Sequence, residues 1–239
     1  MATSNSTNFA TSRNKIIEGA LRLLGATAQG ETPTSTQYDE AADALNMMIK
    51  AFETDGMQLW AIKEYSMPMT DSVASYRIGL TQTINTAKPL RIIQAYFHNG
   101  TSNVDIPMIG LTRTQYNILG NKTTEGYPVQ YYYDPQISYG DLFLFPVPDA
   151  NASAVGNYVR LVYQRPFEDF DASTDEPDFP QEWFEALKFN LALRLAPEYG
   201  LSTEQYSIIK NIAKETKDAA LSGGTEEGSL FFQVERRDW

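Results

Sequence analysis

The sequence predicts an α+β fold. Apolar residues recur at helical spacing near both ends of the 239 residues, and alternate at period two in between. Turn signals in the middle come every ~8–12 residues, the spacing of a small all-β module. Together these describe a discontinuous helical bundle built from N- and C-terminal helices (1–58 and 179–223). An antiparallel β-sandwich or barrel-like domain (59–178) is inserted into it, and an extended C-terminal tail (224–239) follows.

Residues 1 to about 10 are rich in Ser, Thr and Asn, a composition expected to be disordered until a partner orders it. They contain no basic n-region or apolar h-region, so no signal peptide is expected. Ser12 then reads as an N-cap for a helix whose apolar face holds Ile16, Ile17, Ala20, Leu21, Leu23 and Leu24, ending at Gly25. After a loop from Gly30 to Thr36, Thr36 is the expected cap of the second helix. Ala41, Leu45, Met48 and Phe52 form its buried face, with Asp43, Asn46, Lys50 and Glu53 opposite, and Asp55-Gly56 ends it.

From Leu59 the period shortens to two. Strands are expected at 64–69, 75–78, 90–97, 104–108, 128–133, 141–145 and 157–163, with a hairpin signal at His98-Asn-Gly-Thr101. Thr112 to Leu119 reads as one or two helical turns crossing the sheet. Pro68, Pro107 and Pro146 belong at edges or strand ends because proline cannot donate to a ladder. Residues 166–180 read as an acidic, solvated linker.

The chain is organised around the stretch from Phe179 to Gly200. Pro180 suits a first helical position, Glu182 and Glu185 complement the positive end of the helix dipole, and Pro197 and Gly200 mark the exit. Trp183, Phe184, Leu187 and Leu191 form the core-organising stripe. A last helix follows, with a capping box of Ser202 and Gln205 and an apolar face of Ile209, Ile212, Ala213 and Ala220. Each helix alone is marginal and needs burial against the others.

Composition narrows the chemistry. Zero cysteines exclude disulfides and thiolate sites, and a single histidine, His98, excludes any two-histidine metal site. His98, on a hairpin turn, is expected at the surface. No P-loop, G-x-G-x-x-G or G-x-S-x-G occurs, so no cofactor and no catalytic residue is assigned. Asp169, Asp171, Ser173 and Asp175 imitate calcium-loop spacing, but the turn glycine is replaced by Thr174 and the twelfth position is Pro180, so no metal is expected. Glu125 and Asp141 flank aromatic strands, the one arrangement that suggests a carboxylate pair for glycoside cleavage. Tyr131, Tyr132 and Tyr133 read as a strand packed on both faces. A net charge of −11 and no obvious basic stripe argue against a nucleic-acid-wrapping protein. No apolar run is long enough to span a membrane, so no membrane association is expected.

The chain resembles the head-to-tail adaptor proteins of tailed, mainly short-tailed, bacteriophages, also called tail accessory or packaged-DNA stabilisation proteins. The resemblance rests on the order and spacing of several stretches: Ala20-Leu-Arg-Leu-Leu-Gly-Ala26, Gly30-Glu-Thr-Pro33, Ala41 to Lys50, Trp60 to Glu64, Tyr131 to Pro135, Leu144 to Asp149, Phe179 to Trp183 and Asn190 to Gly200. It implies a helical bundle carrying a β-domain. It also implies a ring of about twelve copies under the portal, at the neck of a virion assembled in the host cytoplasm. Such a ring extends the DNA channel, helps retain the genome and docks the tail. The implied partners are other copies of the chain, the portal protein, tail, nozzle or tail-fibre proteins, and double-stranded DNA passing without specific binding. Leu230, Phe231, Phe232, Val234, Arg236, Arg237 and Trp239 are too apolar and too basic for a free tail, and are expected to bind the portal or a neighbour. Readings of another kind are a virion-associated peptidoglycan hydrolase using a carboxylate pair, or a neck or stopper protein of a long-tailed phage.

Overall fold

The structure, a computed structural model, describes residues 5–7, 9–56 and 59–224. In chain order its elements are α1 (Arg13–Leu23), α2 (Ser35–Phe52), β1 (Ile62–Pro68), β2 (Ser75–Ile78), β3 (Arg91–Asn99), β4 (Val104–Pro107), β5 (Ile109–Gly110), α3 (Arg113–Asn117), β6 (Glu125–Gly126), β7 (Gln130–Pro135), β8 (Gly140–Phe145), β9 (Val147–Pro148), β10 (Tyr158–Gln164), α4 (Phe184–Leu195) and α5 (Thr203–Gly223). The fold is mixed α+β. The chain divides into two compact units, residues 1–45 with 172–239 and residues 46–171, and the division falls within α2.

In the helical unit, Ser12 caps α1 by accepting from the Lys15 amide. The helix closes at Gly25, where φ is +70°. There the Gly25 amide donates to Arg22 and the Ala26 amide to Leu21, pairing two carbonyls that the helix end leaves open. The amides of Arg13 and Asn14, which no helical carbonyl can reach, donate to Asp175 and Ser173. The cap of α2 is Thr34, not Thr36: Gln37 accepts from the Thr34 amide at 2.9 Å and donates its own amide to Thr34 Oγ1 at 3.3 Å. Three consecutive hydroxyl residues made the position ambiguous, and a glutamine three residues after Thr34 settles it.

The organising helix begins differently from expectation. Pro180 caps a 3-10 turn, Gln181–Trp183, and α4 starts only at Phe184. Trp183, Leu187 and Leu191 are buried, whereas Phe184 is half-exposed. Helix α4 packs on both α1 and α5. Asn190 reinforces the second contact, donating to Ala186 and, at 3.0 Å, to the Ala213 carbonyl of α5. Both arms of the capping box on α5, Ser202 with Gln205, are formed. The N-terminal segment, expected to be unordered, runs beside the start of α4: Gln181 donates to the Thr7 carbonyl at 3.0 Å, and the Phe9 ring lies 6.0 Å from Phe184.

In residues 46–171 the strands form open sheets, not the closed barrel that was one expectation. One four-stranded antiparallel sheet has the order β1-β10-β3-β4. A second has the order β2-β8-β7-β5 and is antiparallel except for the two-residue β5–β7 pair. A further two-residue pair, β6–β9, is also parallel. One core cluster draws Met67, Phe97 and Leu161 from the first sheet and Ile78, Leu142 and Leu144 from the second. At ~1.5–3 kcal/mol for each large side chain, that burial is the main source of the unit's stability.

Residues 166–171 are not the solvated linker expected. Phe167 and Phe170 are buried, and Trp60 stacks on Phe167 at 4.7 Å. The polar side of α2, with Glu53 just past its end, holds the segment's backbone. Asn46 both accepts from the Phe170 amide and donates to its carbonyl; Glu53 accepts from the Phe167 amide; Lys50 donates to the Phe167 carbonyl and pairs with Asp169 at 2.7 Å.

Candidate interaction surfaces

The groups singled out for chemistry are occupied with structural bonds. Glu125 accepts from the Ser72 hydroxyl at 3.0 Å. Asp141 is paired with Arg77 Nε at 3.0 Å, and Asp134, opposite it on β7, is paired with Arg113. Asp175 accepts from the Ala172 amide and Asp169 is held by Lys50. No cluster of three or more His, Asp or Glu side chains able to hold a metal occurs among the described residues. No helix of the described residues is long and apolar enough to cross a membrane.

The outer faces of the two sheets are built from cross-strand contacts. Register places Tyr158, His98 and Asp105 side by side on β10, β3 and β4. His98 lies within the strand, not on a turn, and its side chain is 15% exposed, stacked 4.4 Å from the Tyr158 ring and 2.6 Å from Asp105 Oδ1. The Tyr158 hydroxyl accepts from Arg160 at 2.7 Å. On the second sheet Tyr132 and Phe143 are paired in register, and Tyr116 of α3 stacks on Tyr132 and lies tilted against Phe143, each at 5.2 Å. A capping box of Thr112 and Gln115 fixes α3 in that crossing position.

Tyrosine burial leaves an electrostatic mark. Desolvation pushes the phenols of Tyr76, Tyr116, Tyr131, Tyr132 and Tyr133 above their ordinary range, with the Asp141 carboxylate adding to the effect at Tyr133. In the helical unit Tyr38 is pushed up to about 12, first by burial and then by Glu18, to which it donates at 2.7 Å.

The helical unit offers two exposed features. The first is a shallow groove of about 210 Å³ lined by Phe9, Lys15, Ile16, Phe184 and Lys188, with Phe9 itself 69% exposed. Phe184, assigned above to the core, forms one wall of it. The second is a short basic stripe, against the expectation that none is obvious. On α5, Lys210, Lys214 and Lys217 recur at i, i+4 and i+7, so they share one side of the helix. Acidic residues interleaved in the sequence hide the stripe until the helical period is applied. The expected portal- or neighbour-binding residues Leu230, Phe231, Phe232, Val234, Arg236, Arg237 and Trp239 lie outside the described residues.

Comparison with known proteins places this arrangement. A family model described as SU10 adaptor protein matches residues 14–222, from the first turn of α1 to the last turn of α5. A search of curated proteins finds no match.

Proposed function

The chain belongs to the SU10 adaptor protein family, phage head-to-tail adaptors, and from that premise we propose that it assembles as a ring of about twelve copies beneath the portal. In this reading it is a structural protein of the virion neck. It extends the DNA channel, helps retain the packaged genome and offers the tail a docking face. The observation that carries the reading is the family match, which runs through the five helices of the described residues and both four-stranded sheets. The way the carboxylates are used supports a non-enzymatic role: Glu125, Asp134 and Asp141 are each bound to a hydroxyl or an arginine. The two sheets, which share one core cluster, are read as a sandwich.

The net charge of −11 sets the conditions for assembly. Side-by-side copies repel, so the free protein is expected to be mainly monomeric, with rings forming when a portal supplies the missing contacts. Duplex DNA is expected to bind weakly and to be released at physiological salt. The C-terminal residues from Leu230 to Trp239 are proposed to dock on the portal or an adjacent copy.

Mixing the protein with its cognate portal and imaging the product tests this function. Capped portals with a ring of added density are the expected outcome, and portals left bare at micromolar protein would overturn it. Deletion of residues 226–239 tests the docking segment. The expected result is a variant as stable as the parent that no longer joins the portal, and normal assembly by the truncated chain would remove the segment from the interface.

A further inference from the structure

Helix α5 carries two charged stripes related by a shift of one residue. One stripe is Thr203, Lys210, Lys214 and Lys217; the other is Glu204, Asn211, Glu215 and Asp218. A one-residue shift turns the second stripe about 100° around the helix axis from the first and moves it only about 1.5 Å along it. Both stripes lie away from the buried residues Ile209, Ala213 and Ala220. Every member is exposed except Lys217, which is half-buried. Lys210, Lys214, Glu215 and Asp218 form no ion pair among the described residues, although Lys214 and Asp218 are four apart. A cation preceding an acid at that spacing is the less favourable orientation. Within each stripe, like charges stand three or four residues apart and repel.

We propose that the lysine stripe of α5 docks against the acidic stripe of α5 in a second copy of this chain, so that successive copies join head to tail. The proposal rests on the ring reading above and names the contact between neighbours. Charge complementarity is what identifies the occupant. Copies in a closed ring stand at one height, and at one height Lys214 meets Glu215 and Lys217 meets Asp218 with an offset of about one residue's rise. The surface is heterologous: the patch used towards one neighbour differs from the patch used towards the other, which is what a ring requires and a two-fold dimer does not. The exposed Ile208, on the acidic side, and Tyr206, on the basic side, add apolar area to each half of the contact. Solvated ion pairs supply orientation and encounter rate more than affinity, consistent with a chain that needs the portal as template.

A charge swap tests the contact. Full-length chains carrying Lys210→Glu with Lys214→Glu, or Glu215→Lys with Asp218→Lys, are mixed with cognate portal singly and together. Each variant alone presents two faces of the same net sign and is expected to lose at least about tenfold in ring yield. The equimolar mixture can alternate copies and is expected to recover towards the parent. Single variants that assemble like the parent, or a mixture as poor as its components while circular dichroism shows both folded, would overturn the proposal and leave the ring reading standing. A parent that forms no ring removes the ring reading and this contact together. Should a reversal variant fail to fold, Lys210→Gln with Lys214→Gln replaces it in a salt series. The parent's ring yield is then expected to fall as salt rises while the glutamine variant stays low throughout, and identical salt curves would overturn the proposal.

Discussion

In residues 46–171, Arg77 lies against Asp141, Arg113 against Asp134, His98 against Asp105, and Lys50 against Glu53 and Asp169. On α5 of the helical unit, Lys210, Lys214, Glu215 and Asp218 stand in solvent without an ion pair among the described residues. Secondary structure accounts for much of the contrast. A sheet brings residues far apart in sequence to within about 5 Å of one another on one face, so opposite charges chosen on neighbouring strands can satisfy each other. A helix offers only positions three and four away, and α5 fills most of those with like charge or with a cation placed ahead of its acid. The aromatic groups repeat the pattern: Tyr116, Tyr132 and Phe143 close over one sheet, while Phe9 stays exposed at the groove of the helical unit. The charges named on the sheet unit are therefore paired, and α5 of the helical unit carries exposed charge that an assembling protein can use.

The largest effects should come from the two cores. Trp183→Ala is expected to destabilise the helical unit by about 3–5 kcal/mol, and Phe97→Ala the sheet unit by a similar amount. Denaturant melts followed by helical circular dichroism and by tyrosine fluorescence check this, and a Trp183 variant as stable as the parent would show that the helical unit does not depend on its buried stripe. A close approach in the sheet unit comes next. A Cβ at Gly100 would sit 2.4 Å from the Gly156 carbonyl oxygen, so Gly100→Ala is expected to cost about 1–3 kcal/mol in thermal melts. In the helical unit Ser202→Ala should cost about 1 kcal/mol by breaking the capping box of α5.

The last effect is absent at neutral pH. The raised phenols keep their protons in the fold when the unfolded chain loses them above about pH 10, so stability is intact below that value and falls as pH rises beyond it. Tyr38 continues the fall through about pH 12. Because most of these tyrosines belong to residues 46–171, the sheet unit should yield first, and equal sensitivity of the helical signal in alkaline melts would erase that distinction.

Much of this architecture is written in local patterns. The Ser12 cap, the glycine stop at Gly25, the box of Ser202 with Gln205 and the strand Ser75–Ile78 follow from residues adjacent in sequence. Other features depend on distant partners. The parallel pairs β5–β7 and β6–β9 are two residues long and carry no periodicity to read. Phe167 and Phe170 sit among acids and look solvated until α2 supplies Asn46 and Lys50, and the residue after it, Glu53, to bind their backbone. The charged stripes of α5 were present as spacing, but a composition dominated by acid concealed them. Phe184 belongs to the helical stripe by position, yet it is half-exposed and lines the groove with its ring 6.0 Å from Phe9.

The bonding of residues 166–171 to α2 bears on how this protein can be dissected. A construction that excises the sheets by starting at Leu59 would discard the side chains that hold the returning strand. The amide and carbonyl of Phe170, the amide and carbonyl of Phe167 and the carboxylate of Asp169 would all lose their partners. A graft or expression fragment beginning at Asn46 and ending at Asp171 keeps them, carrying the second half of α2 as an integral splint. Chimaeras between related adaptors should therefore exchange that half-helix and the returning segment as one matched cassette.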